Sequence, residues 1–307
     1  MHSKIPVILV TGFLGSGKTT FLRRIAESHP TDRLIFLVNE LAETDVDGDT
    51  LAATGTPTQS VIGGSLFCEC KAADFVRIMR ETVRPAHAEE PVEAVIIETS
   101  GMANPDAIGT LMGAHRLSAD FEIRCIATVV APAKFQKLLP NLPVLQNQIR
   151  SSDWIIINKT DTATAETVEA VEATIRALNS TARITRAEYC RCEFQIPSTQ
   201  PNLPSEPLAT CAANPFDTVS ITWPADQSIE TARKWLRETP ADILRIKGQI
   251  ETPEGHWHIE RSPDGESIEA AKPLAQPRLV CIAHEKDQNM LERIRARFAS
   301  TPNNSLP

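Results

Sequence analysis

Five short runs of this chain, at residues 5–10, 34–38, 94–97, 123–130 and 154–157, are almost wholly apolar. A strand with one wet face alternates apolar and polar residues, whereas a run without alternation suits a strand buried on both faces. Between the runs lie helical patterns at 20–28, 72–83 and 166–178, with apolar residues three and four apart. That order predicts an α/β fold, a mostly parallel sheet with helices on both faces.

From 195 to 215 the chain carries Pro197, Pro201, Pro204, Pro207 and Pro215 among Ser, Thr and Asn, the composition of a linker. Beyond it, strands are expected at 217–223, 243–250, 256–260 and 278–283, with helices at 228–237 and 287–299. These make a smaller α+β unit. The expected boundaries are 1–200 for the first domain, 201–215 for the Pro-rich linker, 216–300 for the second domain and 301–307 for a tail. A length of 307 residues fits two domains.

Lys and Arg number 31 against 39 Asp and Glu, a net charge of −8. A general nucleic-acid or anionic-membrane binder needs a basic footprint, so neither partner is expected. No apolar run approaches the ~20 residues of a membrane span. The first run passes into Thr11 and Gly12 without a cleavage motif, and a cytoplasmic protein is the expectation. Seven cysteines are an odd set, in a chain long enough to fold without disulfides. Cys125 and Cys281 lie in apolar runs and read as core residues.

After the first run comes Gly12-Phe13-Leu14-Gly15-Ser16-Gly17-Lys18-Thr19, which fits G-x-x-x-x-G-K-[ST], with Thr20 continuing into a helical pattern. Strand, glycine-rich loop and helix in that order are the context of a phosphate-binding P-loop. Glycines let backbone N–H groups curl closely around phosphate oxygens. Lys18 is then placed for the β- and γ-phosphates, and the Thr19 hydroxyl for Mg²⁺.

The run at 154–157 ends in Asn158-Lys159-Thr160-Asp161, an N-K-x-D pattern. The Asp161 carboxylate can accept from guanine N1–H and the 2-amino group together, donors that adenine lacks there. Lys159 would lie along the base and Asn158 would brace the loop. The alternative is that Asp161 simply caps the following helix. Between these motifs the run at 94–97 delivers Glu98-Thr99-Ser100-Gly101. Glu98 is a candidate anchor that supports Mg²⁺ from behind its direct ligands, and the Gly101 N–H a candidate donor to the γ-phosphate. Here too a plain helix cap is the alternative.

Together, G-x-x-x-x-G-K-T, E-T-S-G and N-K-T-D resemble the CobW family of P-loop GTPases, related to UreG and HypB. The resemblance runs through Val38-Asn39-Glu40, Asp47-Gly48-Asp49, Gly101-Met102-Ala103-Asn104-Pro105 and Gln148-Ile149 to Ile243-Leu244-Arg245-Ile246-Lys247-Gly248, nearly the whole chain. It implies GTP and GDP with Mg²⁺ as ligands. The sequence shows no intrinsic arginine finger, so slow hydrolysis is expected until a partner assists. The resemblance also implies coupling of the nucleotide state to delivery of zinc, cobalt or another transition metal to a client metalloprotein. Some members serve cobalamin synthesis. Oligomeric state is left open.

The sequence departs from the family at its metal motif, G-C-x-C-C. Here Gly64-Ser65-Leu66-Phe67-Cys68 is followed by Glu69 and Cys70, so Ser65 and Phe67 replace two of three thiols. The cargo-metal set implied is therefore Cys68 and Cys70 with the switch carboxylate Glu40. Cys190 and Cys192 offer a second Cys-x-Cys pair, and a four-cysteine site joining both pairs is a minor alternative. Catalytic expectations fall on Lys18, Thr19 and Glu98. Two rivals stand beside this reading: a small-molecule kinase on the same P-loop, and a nucleotide-switched scaffold that handles no metal.

Overall fold

The computed structural model describes residues 4–40, 58–62, 69–140, 142–198, 216–240, 243–262, 265–274 and 277–284, together with 292–294, 296 and 298. The chain divides into two compact units, each with its own sheet.

The first unit holds seven parallel strands: β1 (Ile5–Thr11), β2 (Leu34–Glu40), β3 (Thr58–Ile62), β4 (Ala94–Glu98), β5 (Phe121–Val130), β6 (Trp154–Ile157) and β7 (Arg183–Arg186). Their spatial order is β3-β2-β4-β1-β5-β6-β7, and every pairing is parallel. The α/β expectation is met, and its physical reason is visible in the side chains. Val7, Leu9, Leu37, Val95 and Ile97 point into one core with Phe75, Ile108 and Leu111 from the helices. Ile8, Val10, Phe36, Ile96 and Ile156 point into the other, with Phe21, Leu22 and Ile25. β1 lies between β4 and β5, where the chain stops adding strands on one side and begins on the other. In open parallel sheets ligands bind at the carboxyl ends of strands flanking such a switch point.

Two strands lie outside the five apolar runs. Thr58–Ile62 and Arg183–Arg186 are the two sheet edges, and Arg183 and Arg186 are exposed. The pattern at 72–83 becomes an α-helix, Glu69–Ile78, and a π-helical turn, Met79–Val83, followed by the α-helix Arg84–Glu89. The wide turn ends two residues before Pro85, which has no N–H to continue the regular ladder. Helices at Ala107–Ala114, Pro132–Leu138 and Pro143–Arg150 were not anticipated by the patterns above.

The second unit is a five-stranded antiparallel sheet: β8 (Phe216–Ile221), β9 (Ile243–Thr252), β10 (Gly255–Ser262), β11 (Gly265–Ala270) and β12 (Leu279–His284), in the order β11-β10-β9-β12-β8. The helix Ile229–Glu238 starts at Ser228, whose hydroxyl accepts from the Thr231 N–H. It sets Ala232, Trp235 and Leu236 against Ile246, Ile250, Ile259, Leu279 and Cys281. Of the helix expected over 287–299, residues 292–294, 296 and 298 are helical, and the others lie outside the described residues. The expected linker at 201–215 and tail at 301–307 also lie outside them.

Candidate nucleotide-binding site

The loop after β1 owes its shape to its glycines. Gly12, Gly15 and Gly17 all have positive φ, at 132°, 77° and 108°. A Cβ on Gly12 would stand 2.2 Å from the Val129 carbonyl oxygen, and one on Gly17 would stand 2.4 Å from Asn158 Nδ2. Both positions therefore exclude a side chain on steric as well as conformational grounds. Gly17 caps the helix Lys18–Ser28 without a side-chain hydrogen bond, leaving first-turn N–H groups of the kind that bind phosphate.

Lys18 is 4% exposed, and its Nζ donates to the Phe13 carbonyl at 3.4 Å, so the ammonium is folded back over the loop it follows. From the adjacent strand β4, Glu98 is also buried and its Oε1 accepts from Thr19 Oγ1 at 3.3 Å. A hydroxyl beside a carboxylate next to a glycine cradle is a hard oxygen donor set, which fits Mg²⁺. Glu98 does not cap the next helix: Asp106 stands at the start of Ala107–Ala114, and its Oδ1 accepts from Ser151 Oγ. Gly101 lies so close to the loop that a Cβ there would be 2.8 Å from the Leu14 nitrogen.

The loop after β6 is tied to the same cradle. Asn158 is buried; its Nδ2 donates to the Ser16 carbonyl at 2.9 Å and its Oδ1 accepts from the Cys190 N–H at 2.8 Å. Lys159 takes a left-handed conformation, φ 59° and ψ 37°, and Asp161 sits exposed in the one-turn 3-10 helix Thr160–Thr162. The following helix, Ala165–Leu178, is capped by Thr164, whose hydroxyl accepts from the Thr167 N–H. Asp161 is thus not its cap. The structure brings together the P-loop residues, Glu98, Gly101 and the loop carrying Asn158, Lys159 and Asp161.

A residue in the site that its motif alone did not place there is Cys190. It follows β7, and its Sγ donates to the Gly17 carbonyl at 3.4 Å. Burial pushes the Cys190 thiol up to about 12 and the Cys192 thiol to about 11, so both are held as thiols. Placing Cys190 required knowing that a seventh strand delivers it beside the P-loop, and that strand has no apolar run.

The cargo-metal residues are placed only in part. Glu40 ends β2, paired in register with Ile62, and Cys70 is the second residue of the helix Glu69–Ile78. Cys68 lies outside the described residues. Among the described residues, no group of three or more His, Cys, Asp and Glu side chains is gathered for a metal ion. No helix among them is long and apolar enough to cross a membrane.

A seven-stranded parallel sheet with a glycine cradle at its switch point, a buried lysine and a Thr–Glu pair defines a P-loop nucleotide-binding protein. Residues 6–186 match the CobW/HypB/UreG nucleotide-binding domain, and the chain belongs to that family. It is 30% identical over 203 residues to the zinc-regulated GTPase metalloprotein activator 1 of Schizosaccharomyces pombe, covering 62% of this chain and 47% of that protein. It is 29% identical over 226 residues to the zinc chaperone CobW of Pseudomonas aeruginosa, covering 64% of this chain and 59% of that protein. The chain thus spans between about half and three fifths of those two relatives. It is 25% identical over 333 residues to the zinc chaperone YeiR of Escherichia coli, across 95% of this chain and 98% of that protein. Among solved structures, Zn(II)-bound YjiA GTPase from E. coli aligns over 97% of this chain and 99% of that chain, with 19% identity and a TM-score of 0.48.

Proposed function

We propose that this protein is a Mg²⁺-dependent GTPase whose nucleotide state governs transfer of a transition metal, zinc or cobalt, to a client metalloprotein in the cytoplasm. The observation that carries the guanine assignment is the Asn158 bridge, which hangs the Lys159–Asp161 loop on the P-loop carbonyl of Ser16. Asp161 is assigned to guanine N1–H and the 2-amino group, and Lys159 to the face of the base. A kinase on the same P-loop would have no use for that loop.

In this reading the backbone of 12–17, with Lys18, Thr19 and Thr20, surrounds the phosphates. Water attacks the γ-phosphate in line with the leaving β-phosphate oxygen, and the Lys18 ammonium offsets the charge that grows on the bridging and γ-oxygens. Thr19, with Glu98 behind it, would hold Mg²⁺, which neutralises phosphate charge when bound. We assign no arginine to the transferred group, so unassisted turnover is slow. Residues 1–200 then form the GTPase domain and 216–300 a second domain, joined by 201–215.

The metal assignment rests on Cys68 and Cys70 with Glu40 and draws support from the relatives named as zinc chaperones. Two thiolates and oxygen donors make a less soft site than three thiolates, so weaker binding is expected than in members with the full motif. The replacement of two motif thiols by Ser65 and Phe67 favours one second reading, a guanine-nucleotide switch without cargo. Two experiments test these assignments. Asp161→Asn should turn preference from GTP to xanthosine triphosphate, because the amide donates to the 2-oxo group; unchanged preference contradicts the guanine assignment. Co²⁺ titration of wild type and Cys68→Ser/Cys70→Ser separates the two readings: a thiolate charge-transfer band in wild type alone supports cargo, and its absence from both supports the switch.

A further inference from the structure

Gln148 lies in the helix Pro143–Arg150 and is 1% exposed. Its Nε2 donates to two carbonyls of one turn, Gly101 at 3.3 Å and Ala103 at 3.2 Å. Its own backbone carbonyl accepts from Thr128 Oγ1 at 3.1 Å and from Ser152 Oγ. Its Oε1 is buried and has no hydrogen-bond partner among the described residues. Leu145 and Ile149 beside it are buried and apolar.

An apolar side chain of the same length would fill this space and remove the unpaired Oε1, at the loss of the donor to the Gly101 and Ala103 carbonyls. A buried amide with one unsatisfied atom is unfavourable by itself, so packing gives no reason for glutamine here. What the amide does make is a link from its helix to the turn at 101–103, while the backbone carbonyl of the same residue takes the Thr128 hydroxyl. Thr128 precedes Val129, whose carbonyl confronts Gly12; Thr128 holds Gln148; Gln148 holds Gly101; and Gly101 abuts Leu14. The contacts close a ring around the P-loop.

We infer that Gln148 is a positioning residue that holds the turn at 101–103 against the P-loop, so that the Gly101 N–H meets the γ-phosphate of a bound nucleoside triphosphate. The inference rests on the GTPase reading for its ligand, although the latch itself is a property of the nucleotide-free protein. GDP has no γ-phosphate, so the latch matters to the triphosphate and not to the diphosphate. It acts through the turn and touches no reacting atom.

The test is Gln148→Met, which keeps the length and removes the two bonds donated to the Gly101 and Ala103 carbonyls. Thermal unfolding of the variant should shift down only modestly, because two carbonyls lose a donor while the unpaired Oε1 is removed, and its Kd for GDP should stay within about twofold. Its Kd for a non-hydrolysable GTP analogue should rise about tenfold and kcat should fall about tenfold, as the turn loses its alignment. An unchanged ratio of GTP-analogue to GDP affinity, with unchanged kcat, overturns the inference. Hydrogen exchange of the Ala103 amide, which donates to the Ser100 carbonyl within the turn, gives a readout independent of nucleotide. Faster exchange in nucleotide-free Gln148→Met supports the latch even if wild type fails to bind guanine nucleotide, a failure that would instead sink the GTPase reading. Unchanged exchange removes the latch whatever the nucleotide data show.

Discussion

Asn158 Nδ2 donates to the Ser16 carbonyl at 2.9 Å across 142 residues of chain, and this bond fastens the loop after β6 to the loop after β1. The same side chain takes the Cys190 N–H, so one amide joins three loops. Asn158→Ala leaves the Ser16 carbonyl and the Cys190 N–H buried without that partner. Losing both should destabilise the first unit by about 2–4 kcal/mol, at 1–2 kcal/mol for each group left unpaired. Denaturant unfolding measures this, and GDP affinity should fall with it. Asn158→Asp keeps the acceptor for the Cys190 N–H but sets a buried carboxylate oxygen against the Ser16 carbonyl, and should destabilise at least as much.

Thr19 and Glu98 should reveal themselves through Mg²⁺. Thr19→Val preserves shape and removes the hydroxyl, while Glu98→Gln removes the charge behind it. Each should raise the Mg²⁺ concentration needed for half-maximal GTP turnover by on the order of tenfold or more, the usual effect of disturbing a ligand or its support. GDP binding without Mg²⁺ should change far less. Equal Mg²⁺ dependence in wild type and both variants would remove the pair from the metal's environment.

The Cys190 thiol gives a chemical test of the site's packing. Burial is the main cause that lifts it from 9.0 to about 12, with Lys159 and Arg24 pulling weakly the other way. At pH 8 its thiolate fraction is about a thousandfold below that of an unperturbed thiol, and the thiolate is the form that reacts. Iodoacetamide followed by peptide mass mapping should leave Cys190 unmodified in folded protein and modify it in denaturant. Prompt labelling of folded protein would contradict the burial.

In the second unit His258 carries a pH dependence. Burial holds its imidazole below the ordinary value of 6.5; Lys247 and Arg245 on β9 push the same way, against Glu260 on β10 and Glu269 on β11. Folding therefore favours the neutral ring, and the unfolded chain binds more protons between the depressed value and 6.5. Stability is full above 6.5 and declines as pH falls through that window. Tryptophan-detected unfolding should show the decline as pH falls below about 6.5, and His258→Gln should flatten it.

What the amino acids disclose follows burial. β1, β2, β4, β5 and β6 are buried on both faces and so appear as unbroken apolar runs. The edge strands do not: Arg183-Ile184-Thr185-Arg186 has one apolar residue, and its place is set by pairing with β6. The helices at 132–138 and 143–150 each begin with proline, which suits a first helical turn but reads locally as a break. The P-loop, Glu98 and the Asn158–Asp161 loop are legible because each is contiguous and follows a recognisable strand. Cys190 is not, since its partner Gly17 is 173 residues away. Gln148 left a fainter signal, a polar residue on the same buried stripe as Leu145 and Ile149.

Selection of guanine by the Asn158–Asp161 loop beside the P-loop is tested most directly by competition binding. Labelled GDP is bound to wild-type protein in Mg²⁺ and displaced by unlabelled GTP or ATP. The account predicts displacement by GTP at concentrations at least about a hundredfold below those at which ATP acts, because a site built to pair the guanine donors leaves Asp161 unmatched on adenine. Displacement by ATP as readily as by GTP would contradict it.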